Sequence, residues 1–380
     1  MSDYKKRILF MTGTRADYGK IKSIMRAVET CERFDLFVFV TGMHMHNEYG
    51  YTYNEILKDG YKNVFLFINQ RSGMGSAMDM ILANTIEGFS AYVCEIKPDL
   101  IIVHGDRIEA LAATVVGAMN NILVGHIEGG EVSGTIDESI RHAITKLAHI
   151  HFVANEESKK RVIQLGEQED RICIIGSPDI DIMLSPNLPS WEETRTRYEI
   201  GFDDFGIAIF HPVTTSYENM SIYAKIFTDA MISSGINFVV IHPNNDLGRE
   251  FIVEEYAKLN NNKRFRVFLS IRFEFFLTIL KQAKFIVGNS SAGIREASVY
   301  GTPAIDIGDR QQNRYLPGED IVHCDYDVIA IQKAICSCLE TKLAAKSKFG
   351  TGRSTERFIE IVNDTTLWNT PLQKHFIDKD

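Results

Sequence analysis

The sequence has few cysteines, no long apolar run and no excess of basic residues. The six cysteines are scattered, and the one close pair, Cys336 and Cys338, is a weak signal for a metal site. Such thiols are typical of a reduced cytosolic protein. No apolar run reaches the length of a membrane span, and the N-terminus lacks the layout of a secretory signal. We therefore expect a soluble, cytoplasmic protein that holds no metal.

The charge balance argues against nucleic acids and membranes as partners. Lysines and arginines number 41 and acidic residues 50, which gives a net charge of −9. Nucleic acids and anionic membrane surfaces favour basic proteins, so we expect neither as a partner. A small anionic molecule remains compatible with this balance, because it needs only a local cluster of arginines.

The pattern of apolar runs predicts an α/β fold with two domains. A chain of 380 residues is too long for one compact core. Short β-branched and aromatic runs alternate with amphipathic stretches, which predicts parallel sheets with right-handed crossovers. We expect two Rossmann-like, doubly wound domains over residues 1–178 and 179–364, and a tail, 365–380, that packs back on the first domain or frays. The predicted strands are residues 7–12, 35–40, 63–68, 99–103, 122–124, 151–154, 171–175, 206–210, 237–241, 266–268, 285–287 and 302–305.

The segment between His126 and His142 reads HIEGGEVSGTIDESIRH and follows a buried-strand pattern. Charged groups at the end of a core strand are usually paired or do chemistry, and ligands bind at the carboxyl ends of parallel strands. Glu128 and Asp137 are therefore our candidates for proton transfer. Glu138 has a structural alternative, because an acidic residue in a first helical turn stabilises the helix by about 0.3–1 kcal/mol.

Two further loops of the first half follow predicted strands. In the sequence HGDR, Asp106 can act as a base, orient another group or form a salt bridge with Arg107. The loop after the first strand contains Arg15. This loop either cradles a phosphate with the N–H groups of a helix N-terminus or is an ordinary strand–helix turn.

The second half contains a candidate anion-binding loop. The sequence after one of its strands reads GNSSAGIRE, in which Ser290, Ser291 and Gly293 offer hydroxyl and N–H groups to a diphosphate. Glu296 can accept hydrogen bonds from the vicinal hydroxyls of a ribose. His211 follows the first strand of this half, so we expect it at the same edge of the sheet.

These motifs together resemble the hydrolysing UDP-N-acetylglucosamine 2-epimerases of bacterial sialic-acid and legionaminic-acid pathways. The resemblance runs in order from residue 7 to about residue 315, through GTRADY, HGDR, the segment described above, HPVTT, PNND and GNSSAGIRE. It implies the fold of the B-type glycosyltransferases, with a UDP-sugar substrate and a UDP product in an interdomain cleft. It also implies that no cofactor is needed and that the protein is a homodimer or homotetramer.

The resemblance assigns roles to individual residues. Asp106, Glu128 and Asp137 match the family's catalytic carboxylates, and His211 matches its active-site histidine. The residues expected to bind the substrate are Arg15, Arg107, Arg141, Ser290, Ser291, Gly293, Glu296 and Arg310.

The implied reaction converts UDP-N-acetylglucosamine and water to N-acetylmannosamine and UDP. The C2 proton of the sugar has no adjacent carbonyl, so we expect elimination of UDP to 2-acetamidoglucal, followed by hydration. This route requires cations and helix N-termini at the diphosphate, and carboxylates on both faces of the sugar. We expect Asp106 and Asp137 to transfer the C2 protons and Glu128 to assist hydration at C1.

Four alternatives stay open at this point. The substrate can instead be UDP-N,N′-diacetylbacillosamine, the 4-acetamido-6-deoxy analogue. The protein can also be a B-type glycosyltransferase, a non-catalytic UDP-sugar sensor or a non-hydrolysing epimerase. The three carboxylates argue against the transferase and the sensor, since neither has an evident use for them.

Overall fold

The computed structural model describes residues 5–70, 77–133, 136–311, 321–341 and 343–378. The chain forms two compact units. Unit 1 contains Met1–Glu131, Asp137–Leu184 and Lys348–Asp380, and unit 2 contains Val132–Ile136 and Ser185–Ser347. Apart from the short segment Val132–Ile136, the chain passes into unit 2 after Leu184, a few residues beyond the expected boundary at 178. The chain also returns to unit 1 at Lys348, which is earlier than residue 365.

Unit 1 is built on a seven-stranded parallel sheet in the order β3-β2-β1-β4-β5-β6-β7. Its inner strands are fully buried apolar runs because helices cover both faces of the sheet. The strands are β1 (Lys6–Thr12), β2 (Phe34–Val40), β3 (Val64–Leu66), β4 (Leu100–His104), β5 (Leu123–Ile127), β6 (Ile150–Val153) and β7 (Ile172–Ile174). The helices are α1 (Arg15–Thr30), α2 (Tyr53–Lys58), α3 (Met78–Ile96), α4 (Ile108–Met119), α5 (Ile136–Leu147), α6 (Glu156–Gln164) and α7 (Pro178–Met183).

Unit 2 repeats this topology with six parallel strands in the order β10-β9-β8-β11-β12-β13. Its core is a cluster of buried aliphatic and aromatic side chains between the sheet and its helices. The strands are β8 (Gly206–Ile209), β9 (Phe238–Ile241), β10 (Phe265–Phe268), β11 (Phe285–Gly288), β12 (Ala304–Ile307) and β13 (Ile321–Cys324). The helices are α8 (Trp191–Arg197), α9 (Met220–Ser234), α10 (Arg249–Tyr256), α11 (Phe273–Gln282), α12 (Ser291–Ile294), α13 (Glu296–Tyr300) and α14 (Val328–Leu339).

The last helix, α15 (Ser354–Asn363), belongs to unit 1 and packs against α1 and α7. Its Phe358 is fully buried, with its ring centroid 4.9 Å from that of Phe152 and 6.3 Å from that of Phe10. The helix therefore completes the core of unit 1, although Ser185–Ser347 of unit 2 separate it in the sequence from the earlier parts of that unit.

The strand order fixes where a ligand can bind in each unit. Because all strands are parallel, their carboxyl ends lie at one edge of each sheet. The order reverses between β1 and β4 in unit 1 and between β8 and β11 in unit 2. Loops that diverge at such a switch point leave a crevice, which is where doubly wound sheets bind ligands.

The sequence pattern placed the strands well, with two differences. The strand predicted at 122–124 extends to Ile127, so His126 is a fully buried strand residue. Strand β13 was not predicted, because it is an edge strand whose central residues are exposed and so lacks the apolar run of its neighbours. Among the described residues, no helix is both long enough and apolar enough to cross a membrane.

We expect Phe358→Ala to lower the free energy of unfolding of unit 1 by about 3–5 kcal/mol, because it leaves a cavity in the core. Each unit contains one tryptophan, Trp368 in unit 1 and Trp191 in unit 2. Urea unfolding followed by Trp368 fluorescence in a Trp191→Phe background measures the effect. Phe376→Ala is the matched control, because this side chain is 89% exposed and its loss should change stability by less than about 0.5 kcal/mol.

Candidate active site

The two acidic loops of unit 1 lie side by side at the carboxyl edge of the sheet. Strands β4 and β5 are neighbours, with His104 paired to Ile127, so the loops that follow them start together. Gly105, with φ +74°, turns the first loop sharply before Asp106. Glu128 begins the second loop. The structure thus brings together two loops whose acidic residues, Asp106 and Glu128, are 22 positions apart in the printed sequence.

Arg141 joins these two loops from helix α5. Its Nη2 donates to Oδ2 of Asp106, and its Nη1 donates to the backbone carbonyl of Glu128 at 2.8 Å. The arginine is only 2% exposed. Asp137 lies four residues before Arg141, in the first turn of α5, and is therefore on the same helix face. The expected substrate-binding role of Arg141 is accompanied by a structural one, since it fixes two candidate catalytic residues.

The carboxylate of Glu128 lies in a buried polar cluster. Its Oε1 accepts a hydrogen bond from Ser177 Oγ at 3.1 Å and lies 3.3 Å from His104 Nε2 and 3.7 Å from Lys20 Nζ. Lys20 also lies 3.6 Å from Oδ2 of Asp179, which is fully buried. The sequence pattern did not point to Lys20, Ser177 or Asp179 as site residues. The run GSPD after strand β7 was a usable signal, but we interpreted it as a domain boundary.

The backbone of Glu128 is in the left-handed region, with φ +68°. This conformation is costly for a residue with a side chain, by roughly 1–3 kcal/mol, and is found mainly where the surroundings enforce it. Here the N–H of Glu128 donates to Phe152 O at 3.1 Å, while Arg141 holds its carbonyl. Local strain at a candidate catalytic carboxylate is consistent with selection for placement rather than for stability.

His126 has a structural role. It is fully buried, and its Nε2 lies 2.8 Å from the carbonyl oxygen of Gly105 and its Nδ1 3.2 Å from Thr145 Oγ1. Burial lowers the pKa of His126 to about 3, so the ring is neutral at physiological pH and donates from Nε2. The ring therefore ties the loop that carries Asp106 to β5 and α5.

The loop after β1 enters helix α1 through a capping box. The carboxylate of Asp17 accepts hydrogen bonds from the N–H groups of Gly13, at 3.0 Å, and Thr14, at 3.2 Å, and forms a capping box with Thr14. These two N–H groups are used within the loop, so a phosphate at this turn would bind to other N–H groups of the helix N-terminus. The guanidinium of Arg15 is paired with Glu55 on α2, with Nε 3.2 Å from Oε2.

Arg107 stands beside a buried carboxylate that the sequence analysis also missed. Its Nε is 3.8 Å from Oε2 of Glu109, which is 1% exposed. Glu109 packs under two glycines, because a Cβ built on Gly42 would lie 2.7 Å from Oε1 and one on Gly13 would lie 3.2 Å from Cδ. Position 42 therefore requires glycine for two reasons: a Cβ would collide with the Glu109 carboxylate, and the φ of +62° is one that glycine adopts without strain.

In unit 2, Asn289 organises the switch point. Its side chain accepts from the N–H of His211 at 2.6 Å and donates to the His211 carbonyl at 2.9 Å, which joins the ends of β8 and β11. The carbonyl of Asn289 accepts from Arg310 Nη1 at 3.2 Å and from Gln311 Nε2 at 2.8 Å. The expected residues His211, Ser290 and Arg310 are therefore gathered around a fully buried asparagine that had no assigned role.

The tautomer of His211 follows from its contacts. Its Nδ1 accepts a hydrogen bond from the backbone N–H of Asn244 at 3.1 Å. A neutral imidazole that accepts at Nδ1 carries its proton on Nε2. His211 is thus a hydrogen-bond donor at Nε2, which suits an oxygen of a phosphate better than the abstraction of a proton.

The loop after β11 leads directly into helix α12. Ser290 is the N-cap residue of α12, and its Oγ accepts a hydrogen bond from the N–H of Ala292. Ser291 is the first residue of that helix. Glu296 is the first residue of α13 and is 3% exposed. A Cβ built on Gly293 would meet Ala304 at 3.5 Å, an ordinary contact, so packing does not require glycine there.

Within the described ranges, no group of three or more His, Cys, Asp or Glu side chains is arranged to hold a metal ion.

Comparison with known proteins identifies the family. The family model for UDP-N-acetylglucosamine 2-epimerase matches residues 26–363. Over 377 residues, the chain is 50% identical to the UDP-N-acetylglucosamine 2-epimerase of Neisseria meningitidis serogroup B, covering 98% of this chain and 99% of that protein. It is 31% identical over 374 residues to the UDP-N,N′-diacetylbacillosamine 2-epimerase (hydrolyzing) of Legionella pneumophila, covering 97% and 98% of the two chains.

The solved structures agree with this result. The crystal structure of the Methanocaldococcus jannaschii UDP-GlcNAc 2-epimerase in complex with UDP-GlcNAc and UDP matches with a TM-score of 0.80 at 21% identity, covering 94% of this chain and 99% of that one. The likeness confirms the predicted fold of two doubly wound α/β domains of the B-type glycosyltransferase kind. The chain belongs to the UDP-N-acetylglucosamine 2-epimerase family.

Proposed function

We propose that this protein is a hydrolysing UDP-N-acetylglucosamine 2-epimerase, which converts UDP-N-acetylglucosamine and water to N-acetylmannosamine and UDP for sialic-acid-type sugar synthesis. The observation that carries the proposal is the link that Arg141 makes between Asp106 and the strained loop of Glu128. The 50% identity to the Neisseria meningitidis protein over nearly the whole chain supports the substrate.

The first half of the reaction is an elimination. The C1–O bond to the diphosphate breaks with its electron pair leaving on UDP, a carboxylate removes the C2 proton, and a C1=C2 double bond forms in 2-acetamidoglucal. A cation and hydrogen-bond donors at the departing diphosphate lower the barrier because negative charge develops there. We assign the cation to Arg310, and the donors to the Nε2–H of His211 and the hydroxyls of Ser290 and Ser291.

The second half is hydration. Water adds at C1, a carboxylate takes the proton that this water loses, and C2 receives a proton on the face opposite the one that lost it. We assign the C2 proton transfers to Asp106 and Asp137, which are partly exposed, and the C1 step to Glu128. The side chain of Glu128 is only 7% exposed and is held by Ser177, which supports a role in guiding one water rather than in meeting the whole sugar.

UDP-N,N′-diacetylbacillosamine is the second candidate substrate. It is supported by the 31% identity to the Legionella pneumophila enzyme, whose name also states that it is hydrolysing. The higher identity to the Neisseria meningitidis protein favours UDP-N-acetylglucosamine. No cofactor is needed for either substrate, since elimination requires no redox step.

We also propose that the enzyme works in the cytoplasm as a homodimer or homotetramer. All six cysteines are free thiols, which supports a reducing compartment. The oligomeric state rests on the family resemblance. Light scattering on the purified protein tests it, and a mass of about one chain at micromolar concentration would contradict it.

The direct test is a proton NMR time course in deuterated water with each of the two UDP-sugars. We expect UDP-N-acetylglucosamine to give UDP and free N-acetylmannosamine that carries deuterium at C2, because the second proton comes from solvent. Accumulation of UDP-N-acetylmannosamine would show a non-hydrolysing epimerase instead. Turnover of the bacillosamine derivative alone would transfer the assignment to that substrate.

Variants at two neighbouring acidic residues of α5, Asp137 and Glu138, distinguish a role in proton transfer from a role in stabilising the helix. We expect Asp137→Asn to lower kcat by about 10²- to 10⁴-fold, as is usual for loss of a general acid or base. Glu138→Gln is the matched control. It also removes a negative charge from the first turn of α5, but Glu138 contacts His142 of the same helix, with its Oε1 3.3 Å from Nε2, and has no assigned part in the reaction. Full turnover with full C2 deuterium incorporation in Asp137→Asn would refute the assignment.

The fixed tautomer of His211 predicts different effects for two substitutions. A glutamine amide can occupy the position of Nε2 and donate there, whereas an asparagine amide reaches only the position of Nδ1. We therefore expect His211→Gln to keep more of the wild-type kcat/KM than His211→Asn, with a ratio of about tenfold for one hydrogen bond to a charged group. Equal losses in the two variants would mean that the Nε2 donor has no part in the reaction.

A further inference from the structure

The segment after helix α15 caps the far end of the helix that carries Asp137 and Arg141. Lys374 Nζ lies 2.8 Å from the carbonyl oxygen of Lys146 and 2.6 Å from that of Ala148, with Thr145 O at 3.4 Å. Thr145 and Lys146 belong to the last turn of α5 and Ala148 follows its last residue, so these carbonyls lack partners within the helix and lie at the negative end of its dipole. No glycine follows α5 to form a local cap, so a distant residue supplies it.

Lys374 is itself held by a buried carboxylate. Oε2 of Glu167 lies 2.5 Å from Lys374 Nζ and 3.1 Å from His151 Nε2, while its Oε1 lies 2.7 Å from Lys146 Nζ. Burial raises the pKa of Glu167, but hydrogen bonds from His151, Lys146 and Lys374 outweigh it and lower the pKa to about 2. The carboxylate is therefore ionised at neutral pH and anchors the ammonium group.

A second anchor connects the same segment to strand β5. The Nε2 atom of His149 lies 3.1 Å from the carbonyl oxygen of Leu372. Its Nδ1 accepts a hydrogen bond from the N–H of Val124 at 3.1 Å. Burial lowers the pKa of His149, which favours the neutral ring with one donor and one acceptor that these contacts require. Strand β5 leads directly to Glu128, so the segment is connected to both supports of the acidic cluster, to α5 directly and to β5 through His149.

We propose that Lys374 is a positioning residue: by capping α5 it sets the position of that helix along its axis, and hence the placement of Asp137 and Arg141 at the other end. The inference rests on the proposed function, because it assumes that these two residues act on the substrate. A helix transmits a shift at one end to the other, and a misplacement of about 1 Å can cost about 10²-fold in rate.

The test compares Lys374→Met, which keeps most of the side chain but removes the charge, with Lys159→Met. Lys159 forms an ion pair with Glu169, at 2.9 Å, elsewhere in unit 1 and is the matched control. We expect Lys374→Met to lower kcat by about 10- to 100-fold while the Kd for UDP changes less than about twofold, and Lys374→Arg to restore most of the loss. Lys159→Met should keep wild-type kinetics.

A merely structural role would give a different result. Wild-type kcat in folded Lys374→Met, an equal loss in Lys159→Met, or no recovery in Lys374→Arg would each overturn the proposal. If Lys374→Met does not fold, Glu167→Gln replaces it, and hydrogen exchange of the α5 amides is the measurement. Faster exchange in α5 with unchanged exchange in α4 supports the cap, and unchanged exchange in α5 overturns it.

The proposed function and the cap fail in distinguishable ways. If wild-type protein does not turn over either UDP-sugar, the proposed function is wrong, and hydrogen exchange still decides whether Lys374 holds α5. If wild-type protein is active and the Lys374 variants equal it, only the positioning role is wrong.

Discussion

The acidic cluster of unit 1 depends on the guanidinium of Arg141. Three chain segments meet there: the loop after β4 through Asp106, the loop after β5 through the carbonyl of Glu128, and α5 through the arginine itself. A buried cation is costly unless it is paired and hydrogen-bonded, so these contacts are mutually dependent. The guanidinium suits this position because its fixed fork of N–H donors reaches a carboxylate on one segment and a carbonyl on another.

In unit 2 a neutral side chain, that of Asn289, joins the two strand ends at the switch point. The side-chain amide of Asn289 forms hydrogen bonds with the backbone of His211. The backbone carbonyl of Asn289 accepts hydrogen bonds from the side chains of Arg310 and Gln311. A neutral amide suits a site where phosphate oxygens are expected, because a buried carboxylate in its place would repel them. The two switch points share one topology, but the charge at each matches the chemistry proposed for it.

Long-range contacts within unit 1 explain why the chain returns to it. Phe358 fills the core between Phe152 and Phe10, and Lys374 caps α5. Both residues follow the whole of unit 2 in the sequence. The core of unit 1 and the carbonyl end of α5 are therefore both built with residues of the C-terminal segment.

The sequence by itself determined the α/β class, nearly every strand and the loops that carry Asp106, Glu128, His211 and Ser290, because hydrophobic periodicity and strand ends are local properties. The tertiary structure decided which of these groups meet, since pairing depends on strand order and not on spacing along the chain. Lys20, Asp179 and Glu109 look like ordinary helix residues until the sheet places them at its edge. Likewise, only the structure shows that Asp17 accepts hydrogen bonds from the N–H groups of Gly13 and Thr14 after β1, because these bonds depend on how the loop folds back on the helix.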